Sequence, residues 1–229
     1  MYSVCITDYH TCQYYAQYPC TEGYCWGNGN ISPNQGIPSN GIVSGQWIEI
    51  GGDYKITQNV TFINCKFKMR GGSSISIEPA GGGSSQVMFD HCDFFGCNAM
   101  WRGIVINASS AMNFGFTFTN CKMEDAYIGL TLDEGRPYFY SIFDNNFFNN
   151  HIGISNRKQT GGVGSMINAV IIRNVFTSTA QLSPVPVSMQ SLPLPDYPRP
   201  HAGIKYVNAS SAIGAIPSDP AVSTANNFF

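Results

Sequence analysis

The sequence predicts an all-β solenoid, and three observations carry that expectation. One eight-residue run keeps returning: VTFINCKF (Val60 to Phe67), VMFDHCDF (Val87 to Phe94) and FTFTNCKM (Phe116 to Met123), with looser copies YSIFDNNF (Tyr140 to Phe147) and AVIIRNVF (Ala169 to Phe176). The copies recur at a near-constant interval, their last residues Phe67, Phe94, Met123, Phe147 and Phe176 lying 27, 29, 24 and 29 positions apart. Within each copy apolar and polar residues alternate with the period of two that marks a strand. A unit of this length with a single strand-like run cannot bury its apolar face alone and has to stack on its neighbours.

Aligned, the copies form columns. Val60, Val87, Phe116 and Tyr140 share one; Phe62, Phe89, Phe118 and Ile142 share another; Thr61, Met88, Thr117 and Ser141 fall between them. Coils stacked about 4.8 Å apart place like residues over like. The column Asn64, His91, Asn120 and Asp144 is therefore expected to form a hydrogen-bonded polar ladder at a turn. The next column, Cys65, Cys92, Cys121 and Asn145, is expected to pack its thiols as small hydrophobes inside the coil. The pairs Gly103-Ile104, Gly129-Leu130, Gly153-Ile154 and Gly203-Ile204 read as a second strand start on each coil, entered through a glycine bend.

Composition narrows the possibilities. The chain has 229 residues, only 11% of them charged, with a formal net charge of −2. That balance leaves no electrostatic footprint for nucleic acid or an anionic membrane surface. No apolar run is long enough to span a bilayer. The first residues, MYSVCITDYH, lack the basic region and apolar core of a signal peptide. The last ones, ANNFF, resemble the mid-coil DNNFF of Asp144 to Phe148. The expectation is a piece of a longer protein, because a stacking array cut mid-coil leaves its core uncapped.

In chain order, residues 1–46 are expected to be a Cys-rich N-terminal cap and linker. Cys5, Cys12, Cys20 and Cys25 fall in a Tyr- and Gly-rich segment with little apolar material, which reads as a small disulfide-stapled module. Their spacing lacks the CxxC pair of a zinc knuckle, and three connectivities stay open. Disulfides there imply an oxidising, extracellular or cell-surface setting. Coils are expected to run over 47–229, starting near Trp47. Residues 181–200, QLSPVPVSMQSLPLPDYPRP, are too proline-dense for a central strand or helix and read as an excursion that leaves the solenoid. It returns at His201, where HAGIKYVNASSA echoes WRGIVINASSA of Trp101 to Ala111.

The repeated V-x-F-x-N-C-x-F run followed by a Gly-Ile strand start resembles the right-handed parallel β-helix, or pectate-lyase-like, superfamily. The fragments VTFINCKFKM, MWRGIVI, NCKMEDAYIGL and NNFFNNHIGI are similar to large secreted or surface β-helix proteins of Bacteroidota. The resemblance covers roughly residues 47 to 229. It implies a right-handed parallel β-helix with the Cys-rich segment as a cap; it does not choose a function, since this fold hosts lyases, hydrolases, adhesins and fibres.

The resemblance also says where chemistry would lie. The Asn-Thr-Asp, Gly-His-Gly and Arg-Ile-Lys runs of polygalacturonase-like members are absent. FDHCDF (Phe89 to Phe94) looks like the Asp-His pattern of pectate-lyase-like members, but Arg136-Pro137 and Arg199-Pro200 lack the rest of their arginine motif. The remaining acid constellation is Glu124 and Asp125, with Asp133, Glu134 and Arg136 on the same coil and Asp90 and Asp93 one coil earlier. Such acids can do acid/base work or hold calcium; the competing reading is solvated turns with salt bridges. Trp101 packs over a coil edge or offers a sugar-stacking platform. Cys97 stays open between packing and pairing. The functional expectation is a non-catalytic structural or adhesive rod whose partners are other chains of a surface assembly, or further domains of its parent. The alternatives are a lyase or hydrolase acting on acidic polysaccharide, and a carbohydrate-binding module. No cofactor is expected, calcium on the acids being the one candidate.

Overall fold

The computed structural model describes residues 25–28, 33–79, 84–96, 99–107, 113–134, 138–158, 168–178, 182–186, 189 and 202–205. Among them are nineteen β-strands and no α-helix. After β1 (Cys25–Asn28), the strands come in threes. The first coil is β2 (Ile42–Ser44), β3 (Trp47–Gly51) and β4 (Asp53–Ile56). The second is β5 (Val60–Ile63), β6 (Lys66–Met69) and β7 (Ser74–Ile77), and the third β8 (Ser84–Asp90), β9 (Asp93–Gly96) and β10 (Gly103–Ile106). The fourth is β11 (Asn113–Thr119), β12 (Lys122–Glu124) and β13 (Ile128–Glu134), and the fifth β14 (Tyr138–Phe143), β15 (Asn146–Phe148) and β16 (Ile152–Lys158). The sixth is β17 (Asn168–Ile172), β18 (Val175–Thr177) and β19 (Ala202–Lys205).

Equivalent strands of successive coils pair in parallel, which makes the fold a parallel β-solenoid with three sheets. Sheet A runs β1-β3-β6-β9-β12-β15-β18, sheet B β2-β5-β8-β11-β14-β17, and sheet C β4-β7-β10-β13-β16-β19. Within a coil the chain passes from sheet B through a two-residue turn to sheet A, then to sheet C, then back to B.

The register is the one the repeat demands. Val60 pairs with Val87, Phe116 with Val87 and with Tyr140, and Phe67, Phe94, Met123, Phe147 and Phe176 follow one another across sheet A. Ile104, Leu130, Ile154 and Ile204 do the same in sheet C. Inward columns become stacks. Phe62 lies on Phe89 at 4.9 Å, Phe67 on Phe94 at 4.5 Å and Phe147 on Phe176 at 5.0 Å, each pair of rings nearly parallel. These separations are the inter-strand spacing itself, so identical rings stack because the backbone ladder spaces them for stacking. The glycine column marks where the chain bends into sheet C. Gly103 has φ 107°, and a Cβ there would sit 1.6 Å from the Ile128 carbonyl oxygen of the next coil.

Three expectations change. Regular structure does not wait for Trp47: β1 and β2 lie inside the stretch read as cap and linker, and pair with β3 and β5. Short strands in a Gly-rich setting are paired here by the coil above rather than by their own propensity. Cys5, Cys12 and Cys20 lie outside the described residues, as does the side chain of Cys25.

The Pro-rich segment, secondly, does not leave the solenoid over its described part. It is an expanded turn between sheets A and C in the sixth coil, and it runs back along the same corner of earlier coils. Ser183 Oγ donates to Asp125 Oδ1 of the fourth coil at 2.8 Å. The Met100 amide of the third donates to the Pro184 carbonyl at 2.8 Å. Pro186 packs beside Gly71 of the second. Leu182, Ser183 and Met189 are buried. Proline suits this strap, because its carbonyls can accept while no donor is left unpaired. The third change concerns the polar ladder and belongs to the site.

Candidate functional site

The two-residue turn from sheet B to sheet A has one backbone solution in all six coils, taken by Gly45 at φ 63° in the first and by a residue with a side chain in the other five. Asn64, His91 and Asn120 have φ 53°, Asp144 62° and Arg173 54°. This left-handed conformation disfavours most side chains, and Asn and Asp tolerate it best. It also turns those side chains out: all five are exposed. The column Asn64, His91, Asn120, Asp144 is thus a row of exposed turn formers and not the continuous hydrogen-bonded ladder expected for it. Its contacts are surface ones. His91 Nδ1 lies 2.8 Å from Asp90 Oδ1, Asn120 Nδ2 donates to the same oxygen at 3.3 Å, and Arg173 pairs with Asp144.

The ladder lies one residue later. Asn145 and Asn174 point inward and are buried. Asn145 Nδ2 donates to the Phe118 carbonyl at 2.8 Å, and Asn174 Nδ2 to the Ile142 carbonyl at 3.0 Å. Their side-chain oxygens accept the amides of Cys121 and Asn145 from the coil before. The cysteines fill the same role with sulfur. The thiols of Cys121, Cys92 and Cys65 donate to the carbonyls of Phe89, Phe62 and Val43 at 3.5, 3.5 and 3.4 Å, and Cys121 Sγ accepts the Cys92 amide at 3.4 Å. All three are free and buried, so they pack as expected and also bond. The Cys65 thiol is pushed up by its contact with Cys92 and by burial, and Cys92 by burial first; a thiol so held is a poor nucleophile. The turn from A to C repeats the device. Asp125 and Asn149 take φ 56° and 53°, and Asn150 bridges the Ala126 amide and the Met123 carbonyl at 2.8 and 2.9 Å.

The candidate acids are not brought together as one cleft. Asp90 ends β8 on the outside of sheet B, while Asp93 opens β9 on the outside of sheet A. Asp93 pairs with Lys66 at 3.1 Å, and Glu124, buried at 5% exposure, pairs with Lys122. Glu49, also buried, pairs with Arg70 and lies 3.8 Å from Lys68. Lys66 sits over the Trp47 ring and Lys122 over Phe148. Asp125 lies under the strap; burial, with a smaller push from Glu124, raises its carboxyl to about 7. Arg136, Cys97 and the side chains of Asp133 and Glu134 lie outside the described residues. No group of three or more potential metal ligands gathers among the described residues, so the calcium expectation gains no site there. Trp101 is fully buried; its Nε1 donates to the Glu124 carbonyl at 2.7 Å and its ring lies along Phe94. A ring without an open face cannot stack on a sugar, which corrects that reading of Trp101.

Sequence reasoning missed Asn145, Asn150 and Asn174 as bonding groups, and the Asp125–Ser183 contact. The first had a signal: a column holding His91 and Arg173 cannot be an amide ladder, so the ladder had to be its neighbour. The second had none, because no periodicity links residues 58 apart. No protein-family model matches the chain, and no curated protein or solved structure is significantly similar to it.

Proposed function

We propose that this chain is a non-catalytic extracellular rod, a display or adhesive element of a surface assembly, built on a right-handed, pectate-lyase-like β-helix of the kind found in Bacteroidota surface proteins. The observation that carries the reading is that each candidate acid among the described residues already has a structural partner: Asp93 a lysine, Glu124 a lysine, Asp90 a histidine and an asparagine, Asp125 the strap serine. An acid/base pair flanking a scissile bond needs free carboxyl groups facing one cleft; these face two sheets and a corner. The coil-to-coil ladders of backbone, amide, thiol and ring contacts support a rigid spacer, because every interior level is bonded above and below.

The test is turnover. The chain is incubated with pectate, alginate and other acidic polysaccharides, with and without calcium, and new reducing ends and unsaturated products are measured. No product above background is expected. Product formation that disappears in Asp93→Asn or Glu124→Gln would overturn the rod in favour of an enzyme.

A further inference from the structure

We propose that the outer face of sheet B is a self-association surface, on which two copies of this chain pack face to face. The inference deepens the rod reading and rests on it for its biological setting.

Charge is divided unevenly among the three outer faces. Sheet A carries Glu49, Lys66, Lys68, Asp93, Lys122 and Glu124 within its strands, and sheet C carries Asp53 and Lys55 among its described side chains. The strands of sheet B hold a single charged residue, Asp90, at one margin. The outward column through its middle is Ile42, Thr61, Met88, Thr117, Ser141 and Val170, one residue from each coil in unbroken register. The large hydrophobic residues most exposed among those described are Ile42 at 51%, Phe139 at 57% and Val170 at 37%, and all three stand on this face. Exposed sheets are normally protected from association by charge; here the protection is present on two faces and omitted on the third.

The occupant follows from the same features. A face with one charge offers nothing to an acidic or basic partner. A second copy supplies an equally neutral surface of β-branched, hydroxyl and aromatic side chains, and a two-fold arrangement lets one patch serve as its own complement. Six strands about 4.8 Å apart, each showing about five residues at about 3.3 Å, give about 500 Å² per copy. The resulting total of about 1,000 Å² lies at the lower limit for a specific interface, so the pairing is weak and reversible. Side-by-side pairing through sheet B leaves the charged face of sheet A uncovered.

Sedimentation velocity over a wide concentration range tests the proposal. A monomer–dimer equilibrium is expected. Thr117→Lys, at the centre of the face, and Phe139→Gln, at its most exposed ring, are each expected to weaken it at least about tenfold, while Thr131→Lys on sheet C leaves it unchanged. Thermal melting of the three variants verifies that they fold. A chain that sediments as a monomer at every concentration overturns the proposal, as does a dimer indifferent to both sheet-B variants. A monomer retained on insoluble neutral glucan and released by Thr117→Lys overturns it too, and assigns the face to carbohydrate. Polysaccharide turnover would remove the rod reading without touching this result, so the two failures are separable.

Discussion

At the residue scale, one backbone torsion decides what each polar column does. In the turn between sheets B and A, the left-handed residue points out and its successor points in. The consequence is a contrast between neighbours. Asn145→Ala removes the acceptor of the buried Cys121 amide and the side-chain donor to the Phe118 carbonyl, and is expected to cost about 1–3 kcal/mol in urea unfolding. Asn120→Gly, one coil earlier and one residue before its ladder position, is expected to change stability by less than about 0.5 kcal/mol, since glycine adopts φ 53° freely. Equal losses in the two variants would refute the assignment of roles. The thiols give a second check. Cys65, Cys92 and Cys121 should resist a thiol reagent in the native state and react together on unfolding. Cys121→Asn should be tolerated, because an amide there can continue the Asn145–Asn174 row.

At the element scale, the strap ties coils that the sheet ladders already stack. Its serine caps Asp125, whose carboxyl is held near 7 by burial, well above the ordinary value of about 3.9 for an aspartate. The titratable groups facing it are Glu124, whose charge pushes it further up, and Lys122, which pulls it down. A raised carboxyl pKa means that the folded state takes up a proton the unfolded state has released. The favourable contribution is complete below about pH 4 and is lost as pH rises through about 7. Asp125→Asn removes the titration while keeping an oxygen for Ser183, and asparagine suits the left-handed turn, as Asn149 shows in the next coil. The variant is therefore expected to melt higher than the parent at pH 8 and close to it at pH 4. A pH-independent difference between the two would show that Asp125 is not the group that titrates.

At the scale of the whole molecule, stability is distributed along the stack. Interior rings link successive coils: Phe89 of the third meets Phe62 and Phe67 of the second, Phe94 of its own, and Phe116 and Phe118 of the fourth. Phe89→Ala should cost about 3–5 kcal/mol, and hydrogen exchange should accelerate in the second and fourth coils as well as the third. Acceleration confined to β8 would mean that the coils are energetically independent, against the nearest-neighbour coupling of stacked repeats.

Much of this architecture was legible in the sequence, for a physical reason. When equivalent strands stack one coil apart, the residue-to-residue register is the sequence alignment of the repeats, so the columns of Phe62 and Phe89, of Phe67 and Phe94, and of Ile104 and Ile154 could be read from spacing alone. Sidedness at the turns could not. Strand alternation stops where φ turns positive, and only the folded chain decides that Asn120 looks at solvent while Asn145 looks at the core. The early strands β1 and β2 were hidden because a strand of three or four residues is stabilised by the coil it lies on more than by its own composition. The strap over Asp125, the burial of Trp101 and the charge-poor face of sheet B are likewise products of tertiary structure: each depends on which distant segment, or none, covers a given side chain, and that is settled by packing in three dimensions.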